Sequence, residues 1–96
     1  MNISKSDIVV SLAGRDQGKF FYVLSTEEGY ALLADGKTRR LENPKRKKLK
    51  HIRFVARSDS RVAQKIMAGD SVLNSELRRD LAILGQELAV RTKEAE

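Results

Sequence analysis

Residues 7–51 read DIVVSLAGRDQGKFFYVLSTEEGYALLADGKTRRLENPKRKKLKH. Ile8, Val10 and Leu12 alternate with Val9 and Ser11, so residues 7–12 carry the period of two that marks a strand. Residues 13–18, AGRDQG, set Gly14, Asp16 and Gly18 in a tight connection that needs at least one position at positive φ. Residues 19–25, KFFYVLS, are aromatic and β-branched with apolar groups on both faces, which predicts a central strand. Ser25 to Gly29 is a polar turn, and Tyr30 to Ala34 reads as a third strand. Asp35-Gly36 then predicts a two-residue type I′ hairpin, with Thr38 to Glu42 as its return strand. Asn43-Pro44 ends that strand, because proline lacks an N–H and restricts the residue before it. Lys45-Arg46-Lys47-Lys48 follows as a basic loop. Leu49 to Arg57 alternates again as the last strand, with Ile52, Phe54 and Ala56 on one face and His51, Arg53 and Arg57 on the other.

Five short strands joined by tight turns predict a small, strongly curled antiparallel barrel over residues 1–57. Beyond Arg57 the period changes. Ser58, Asp59 and Ser60 offer N-caps, Val62, Ile66 and Met67 share one helical face, and Gly69 is placed to end the helix. Asn74-Ser75 opens a second helix, with Glu76 in its first turn favourably placed against the dipole. Leu77, Leu81, Leu84 and Leu88 recur as an amphipathic stripe expected to pack within the chain, interrupted only by Gly85. Thr92 to Glu96 reads as a frayed tail. The expected class is therefore mainly β: a five-stranded antiparallel barrel followed by a C-terminal extension, residues 58–96, of two short helices.

Composition narrows the chemistry. The chain has 96 residues, enough for one modest core, and all five aromatics fall between Phe20 and Phe54. It has no cysteine and one histidine, His51, so disulfides and thiol chemistry are excluded and His51 cannot build a zinc site without cysteine partners; carboxylate-only sites remain open, but nothing in the sequence points to one. No metal or cofactor is expected. No nucleophile stands with a base and an orienting acid, and the acids Asp16, Glu27, Glu28 and Asp35 fall in turns, so no catalytic residue is assigned. The first residues, MNISKSD, lack an apolar h-region, and no apolar run reaches membrane-spanning length. A soluble cytoplasmic protein without membrane contact is the expectation.

The charge is uneven. Residues 1–57 hold 13 Lys and Arg against 6 Asp and Glu, whereas residues 58–96 hold 6 against 7. Between Lys37 and Arg57 there are 10 basic residues and one acid, Glu42. Such a run repels itself and becomes favourable when phosphates neutralise it and counterions are released. A patch making roughly six phosphate contacts loses on the order of a thousandfold in affinity from low to moderate salt. The candidate phosphate-binding residues are Lys37, Arg39, Arg40, Lys45, Arg46, Lys47, Lys48 and Lys50, with Arg15 and Lys19 from the glycine turn and His51 as a phosphate-facing neighbour. Gly14 and Gly18, like Asp35 and Gly36, are assigned to turn geometry; no Gly-Lys-Ser/Thr follows Gly14 at the spacing a nucleotide phosphate loop needs, and Lys19 leads into aromatics. Of the aromatics most must fill the core, leaving at most one ring, Phe21 or Tyr22, to stack on a base.

Together these residues make the segment Asp7 to His51 resemble a KOW domain, the SH3-like barrel of several ribosomal proteins and transcription elongation factors. Ile8-Val9-Val10, the turn Gly14 to Lys19 and the strand Phe20 to Leu24 carry the motif. With ADGKTRRLENPKRKKLKH the segment is similar to small bacterial KOW-containing proteins, which in turn resemble archaeal and eukaryotic large-subunit ribosomal proteins. KOW domains often carry glycine before the first strand; here Ser6-Asp7 stands there. The resemblance implies an SH3-like fold and non-catalytic binding of RNA, above all ribosomal RNA, with ribosomal proteins as further partners and no oligomer required. It also admits an alternative: a protein-interaction module docking on the ribosome or the transcription machinery through the leucine stripe and exposed aromatics.

Overall fold

The computed structural model describes residues 2–95, with side chains through residue 89. The alternating runs form strands: β1 is Asp7–Ser11, β2 Phe20–Glu27, β3 Tyr30–Ala34, β4 Lys45–Lys48 and β5 Ile52–Arg57. A single 3₁₀ turn, Leu49–His51, joins β4 to β5, and two helices follow, α1 Arg61–Ala68 and α2 Asn74–Ala95. The strands make one antiparallel sheet in the order β4-β3-β2-β1-β5. The fold is mainly β, as expected, but β4 and β5 remain as edges and the sheet does not close into a barrel.

Both faces of the sheet are buried. Ile8 pairs with Tyr22 and Val9 with Phe21, so neighbouring positions supply opposite faces. Ile8, Tyr22 and Ala34 pack under Val62, Ala63 and Ile66 of α1 and Leu77 and Leu81 of α2. On the other face Val9, Phe21, Val23, Ala31, Leu33 and Ile52 form a second core, with Ile3 from before β1 and Leu49 of the 3₁₀ turn packed against it. Phe21 and Tyr22 are both 0% exposed, so neither is the free ring the sequence suggested. Of the three consecutive rings, Phe20 is the half-buried one.

Three other expectations change. No strand forms over residues 38–42; β3 pairs instead with β4, which turns the expected basic loop into a strand. Four consecutive basic residues are poor strand formers, but at a sheet edge their charge blocks pairing with another chain. The expected two-residue type I′ hairpin at Asp35-Gly36 does not form: its return strand is absent, and of the two residues Gly36 alone takes a positive φ. In β5 a bulge at Val55 sets Phe54 opposite Val9 but Ala56 opposite Ile8, so Ala56 turns to the face away from Phe54 and Ile52.

The helices begin where their caps predict. The Ser60 hydroxyl accepts from the Ala63 N–H, and Gly69 ends α1 in the left-handed conformation. The same Ser60 hydroxyl donates to Asp80 Oδ2 at 2.7 Å, and the Tyr22 hydroxyl donates to that oxygen at 2.7 Å, tying both helices to β2. The leucine stripe is largely spent in this packing: Leu77 is 0% and Leu81 8% exposed. α2 is not short: its 22 residues run through Ala95, across most of the segment read as a tail, while Glu96 lies outside the described residues. Among the described residues no helix is long and apolar enough to cross a membrane.

Two backbone positions respond oppositely to exchange of side chain and glycine. Ser6 holds φ +72 directly before β1, a conformation that glycine adopts more readily, and its N–H donates to Val23 O at 2.7 Å. Gly36 holds φ +78 beneath α2, where an added Cβ would drive into the Asn74 carbonyl oxygen. Ser6→Gly is expected to raise the unfolding free energy by about 0.5–1 kcal/mol, and Gly36→Ala to lower it by about 2 kcal/mol or more. Urea unfolding followed by circular dichroism measures both.

Candidate nucleic-acid interface

Antiparallel pairing brings the β1–β2 turn, residues 12–19, and the β3–β4 loop, residues 35–44, to one end of the sheet. The turn is built around Asp16. Gly14 and Gly18 both take φ +86, letting the chain reverse so that Gly18 N–H donates to Ser11 O at 2.8 Å. The Ser11 hydroxyl donates to Asp16 Oδ1 at 2.7 Å. Lys47, from edge strand β4, reaches across to the same carboxylate oxygen at 2.6 Å and to Ala13 O at 2.7 Å. Burial opposes ionisation of Asp16, but the hydrogen bonds from Lys47 and Ser11 and the Lys47 charge outweigh it and hold its pKa below the ordinary 3.8.

The loop is organised by a second carboxylate. Asp35 accepts from Lys37 N–H at 2.9 Å and Arg39 N–H at 2.8 Å, and from the Thr38 hydroxyl at 2.7 Å. Burial again works against the charge, and these donors overcome it, keeping the Asp35 pKa low. This is an Asx-type turn, in which a side chain replaces the second strand of a hairpin. The start of α2 fixes the loop from outside: Asn74 Oδ1 accepts Leu41 N–H at 2.8 Å, and Arg78 donates to Gly36 O at 2.5 Å.

Between turn and loop lies a cleft of about 290 Å³ lined by Arg15, Lys19, Arg39 and Lys45, with the Lys47–Asp16 pair beside them. Among the described residues those four cations form no ion pair. Asp16 is the one carboxylate among the described residues of the lining, and Lys47 already neutralises it.

The remaining candidates sit elsewhere or are engaged. Lys37 lines an adjoining cleft on the α2 side, together with Arg78. Arg40 lies 3.8 Å from Glu42, both exposed. Arg46 projects from the opposite face of β4, bonded to Glu27 at 2.5 Å and stacked 3.5 Å from the Tyr30 ring centroid. Lys48 pairs with Tyr30 at the far end of that strand, and Lys50 is exposed in the 3₁₀ turn. His51 starts beside the glycine turn, its carbonyl accepting Leu12 N–H at 2.8 Å. Lys47 differs most from its expected role: its side chain is 7% exposed and spent on Asp16 and Ala13, so it shapes the turn rather than facing a phosphate.

Sequence reasoning missed Arg78, because the helical extension shows no basic face and only tertiary docking brings that side chain to the loop. It also missed Asp16 as a counter-ion, although its place five residues after Ser11 in a glycine turn was visible. Among the described residues no group of acids and His51 is arranged to hold a metal ion. No protein-family model matches the chain, and no curated protein matches it in sequence.

Lys47→Met is expected to lower stability near neutral pH by roughly 1–3 kcal/mol, because it leaves the partly buried Asp16 carboxylate with the Ser11 hydroxyl but without its counter-ion. A depressed carboxyl pKa stabilises the fold above its unfolded value and ceases to do so as pH falls through the folded one. The wild-type advantage over Lys47→Met should therefore be complete near pH 7 and shrink below pH 3.8. Urea melts of both proteins across that range at constant ionic strength measure it.

Proposed function

We propose that this protein is a non-catalytic RNA-binding protein of the KOW kind. It grips the phosphates of a folded RNA, above all ribosomal RNA, in the cleft between the β1–β2 turn and the β3–β4 loop. One observation carries the reading: Arg15, Lys19, Arg39 and Lys45, from three separate segments, line one cleft with no ion pair to any of them among the described residues. Like charges held together raise the free energy of the unliganded protein. A phosphate relieves that repulsion, and its bound counterions are released. Lys37, Arg40, Lys48, Lys50 and Arg78 extend the positive field beyond the cleft.

Contacts of this kind set affinity and register rather than base sequence, so the cations recognise the shape of an RNA backbone. The preference for RNA over DNA, and for ribosomal RNA in particular, rests on the resemblance of residues 7–51 to KOW domains. One chain supplies the whole cleft, so binding needs no oligomer.

The test is fluorescence anisotropy with a structured ribosomal RNA fragment across a salt series. Lys19→Gln, Arg39→Gln and Lys45→Gln combined should weaken binding at least tenfold. They should also reduce the salt slope by about two to three, because each phosphate neutralised by a cation contributes about 0.7–0.9 to it. Lys48→Gln alone should change the slope by less than about one. Unchanged affinity and slope in the triple variant would remove the mechanism. Failure to co-sediment with ribosomes at low salt would remove the ribosomal part of the proposal.

A further inference from the structure

The cationic cleft has a neighbour of different chemistry. A second cleft, about 510 Å³, opens between the same turn and loop on the side of α2, and both clefts share Lys19 and Thr38 in their linings. Its walls are apolar: half-buried Phe20 from the start of β2, and Leu81 and Ala82 from α2. Lys19, Lys37 and Arg78 supply positive charge around it. Its volume falls within the roughly 300–1,000 Å³ typical of sites for small organic groups. A site with apolar walls and cations around it, next to a row of phosphate-binding groups, matches a nucleotide better than a peptide.

We infer that this second cleft receives an unpaired base of the bound RNA, while the phosphate of that nucleotide lies toward Lys19 and the cationic cleft. The inference rests on the RNA-binding reading above and adds to it a preference for single-stranded loops or bulges. A paired base is stacked inside its helix and cannot enter a walled cleft; an unpaired one can, and any of the four bases can lie against an aromatic or aliphatic wall. The polar groups suit the edge of such a base. Arg78 uses one guanidinium N–H on Gly36 O and keeps four others for an acceptor. The Thr38 hydroxyl donates to Asp35 and retains lone pairs for an amino group. Asp35, the one carboxylate among the described residues of this lining, already accepts from three donors and repels an incoming anion less than a free carboxylate. The loop is tied to α2 through Asn74 and Arg78, so the cleft is formed before the ligand arrives and little ordering entropy is lost on binding.

Three probes test this by anisotropy at fixed salt: an RNA stem–loop, a fully paired RNA duplex of matched length, and a free mononucleotide as competitor. Wild type should bind the stem–loop more tightly than the duplex, and the mononucleotide should compete only weakly. Ala82→Trp fills the cleft from an exposed helix position and leaves every cation in place. It should weaken stem–loop binding by roughly fivefold to a hundredfold, the range for one stacked base, and leave duplex affinity and its salt slope unchanged. Phe20→Leu, which keeps an apolar group on the core, should act in the same direction. It decides the matter if the tryptophan variant fails to fold by circular dichroism. Equal binding of stem–loop and duplex by wild type overturns the inference and leaves the RNA-binding reading intact. So does a stem–loop preference that survives both variants, and tight competition by the mononucleotide assigns the cleft to free nucleotides instead. Absence of salt-dependent binding to either RNA overturns both readings together.

Discussion

The sheet is apolar on both faces, and every other feature of the molecule follows from covering them. Ile8 and Val9 are neighbours in β1, both almost fully buried, and they belong to different cores. A five-stranded sheet of this length cannot curl around both. Val9, Phe21 and Leu33 are covered with the help of Ile3 and Leu49, and two helices cover Ile8, Tyr22 and Ala34. Full burial of side chains such as these contributes about 1.5–3 kcal/mol each, far more than any single surface ion pair, so core packing decides the architecture and charge is placed in what remains. What remains is an edge strand and the turns at the strand ends.

That hierarchy explains why four basic residues form β4. Ala31 and Leu33 of β3 need a neighbour, and their partners are Lys47 and Lys45. Lysine stems are long and apolar, so Lys47 covers the second core with methylenes while its ammonium leaves the sheet for Asp16 and Ala13. The ion pair closes the sheet edge onto the glycine turn. It also neutralises Asp16, the one carboxylate among the described residues lining the cationic cleft. Arg46, one residue earlier, faces the other way and is held by Glu27 and Tyr30. Strand alternation thus divides a uniform basic run into a buried strut, a surface-paired arginine and lysines turned to solvent.

The parts of this arrangement that were legible in the sequence were those set by short-range rules. The period of two at residues 7–12, the glycine turn, the Ser60 cap and Gly69 stop of α1, and the leucines of α2 each depend on neighbours within a few residues. The misread parts depend on a side chain that competes with the backbone locally or on partners far along the chain. Thr38 to Glu42 has strand-like spacing, but Asp35 offers its carboxylate to three donors in residues 37–39, and that local ring forms in place of a hairpin. Lys45 to Lys48 has loop-like composition, but β3 supplies the pairing. The Val55 bulge leaves no mark in the run of apolar residues around it, so the facing of Ala56 could not be read. The candidate cations were visible as a set; their division among cleft, core and opposite face required the register of β4.

The helical extension consequently helps to hold the β3–β4 loop in place and is not an appendage to the sheet. Gly36 lies against the backbone of Asn74, Leu41 donates to the Asn74 side chain, and Arg78 bonds to Gly36. These contacts, together with the ring of hydrogen bonds around Asp35, set where Lys37 and Arg39 stand relative to Lys19. Leu77, on the same first turns of α2, is fully buried against the sheet, so packing of the core and positioning of the loop are one event. A change that loosens α2 from the sheet therefore reaches the cations without touching any of them. A cation array held by a helix keeps its spacing when the ligand is absent, and fixed spacing is what lets a backbone of one shape fit better than another.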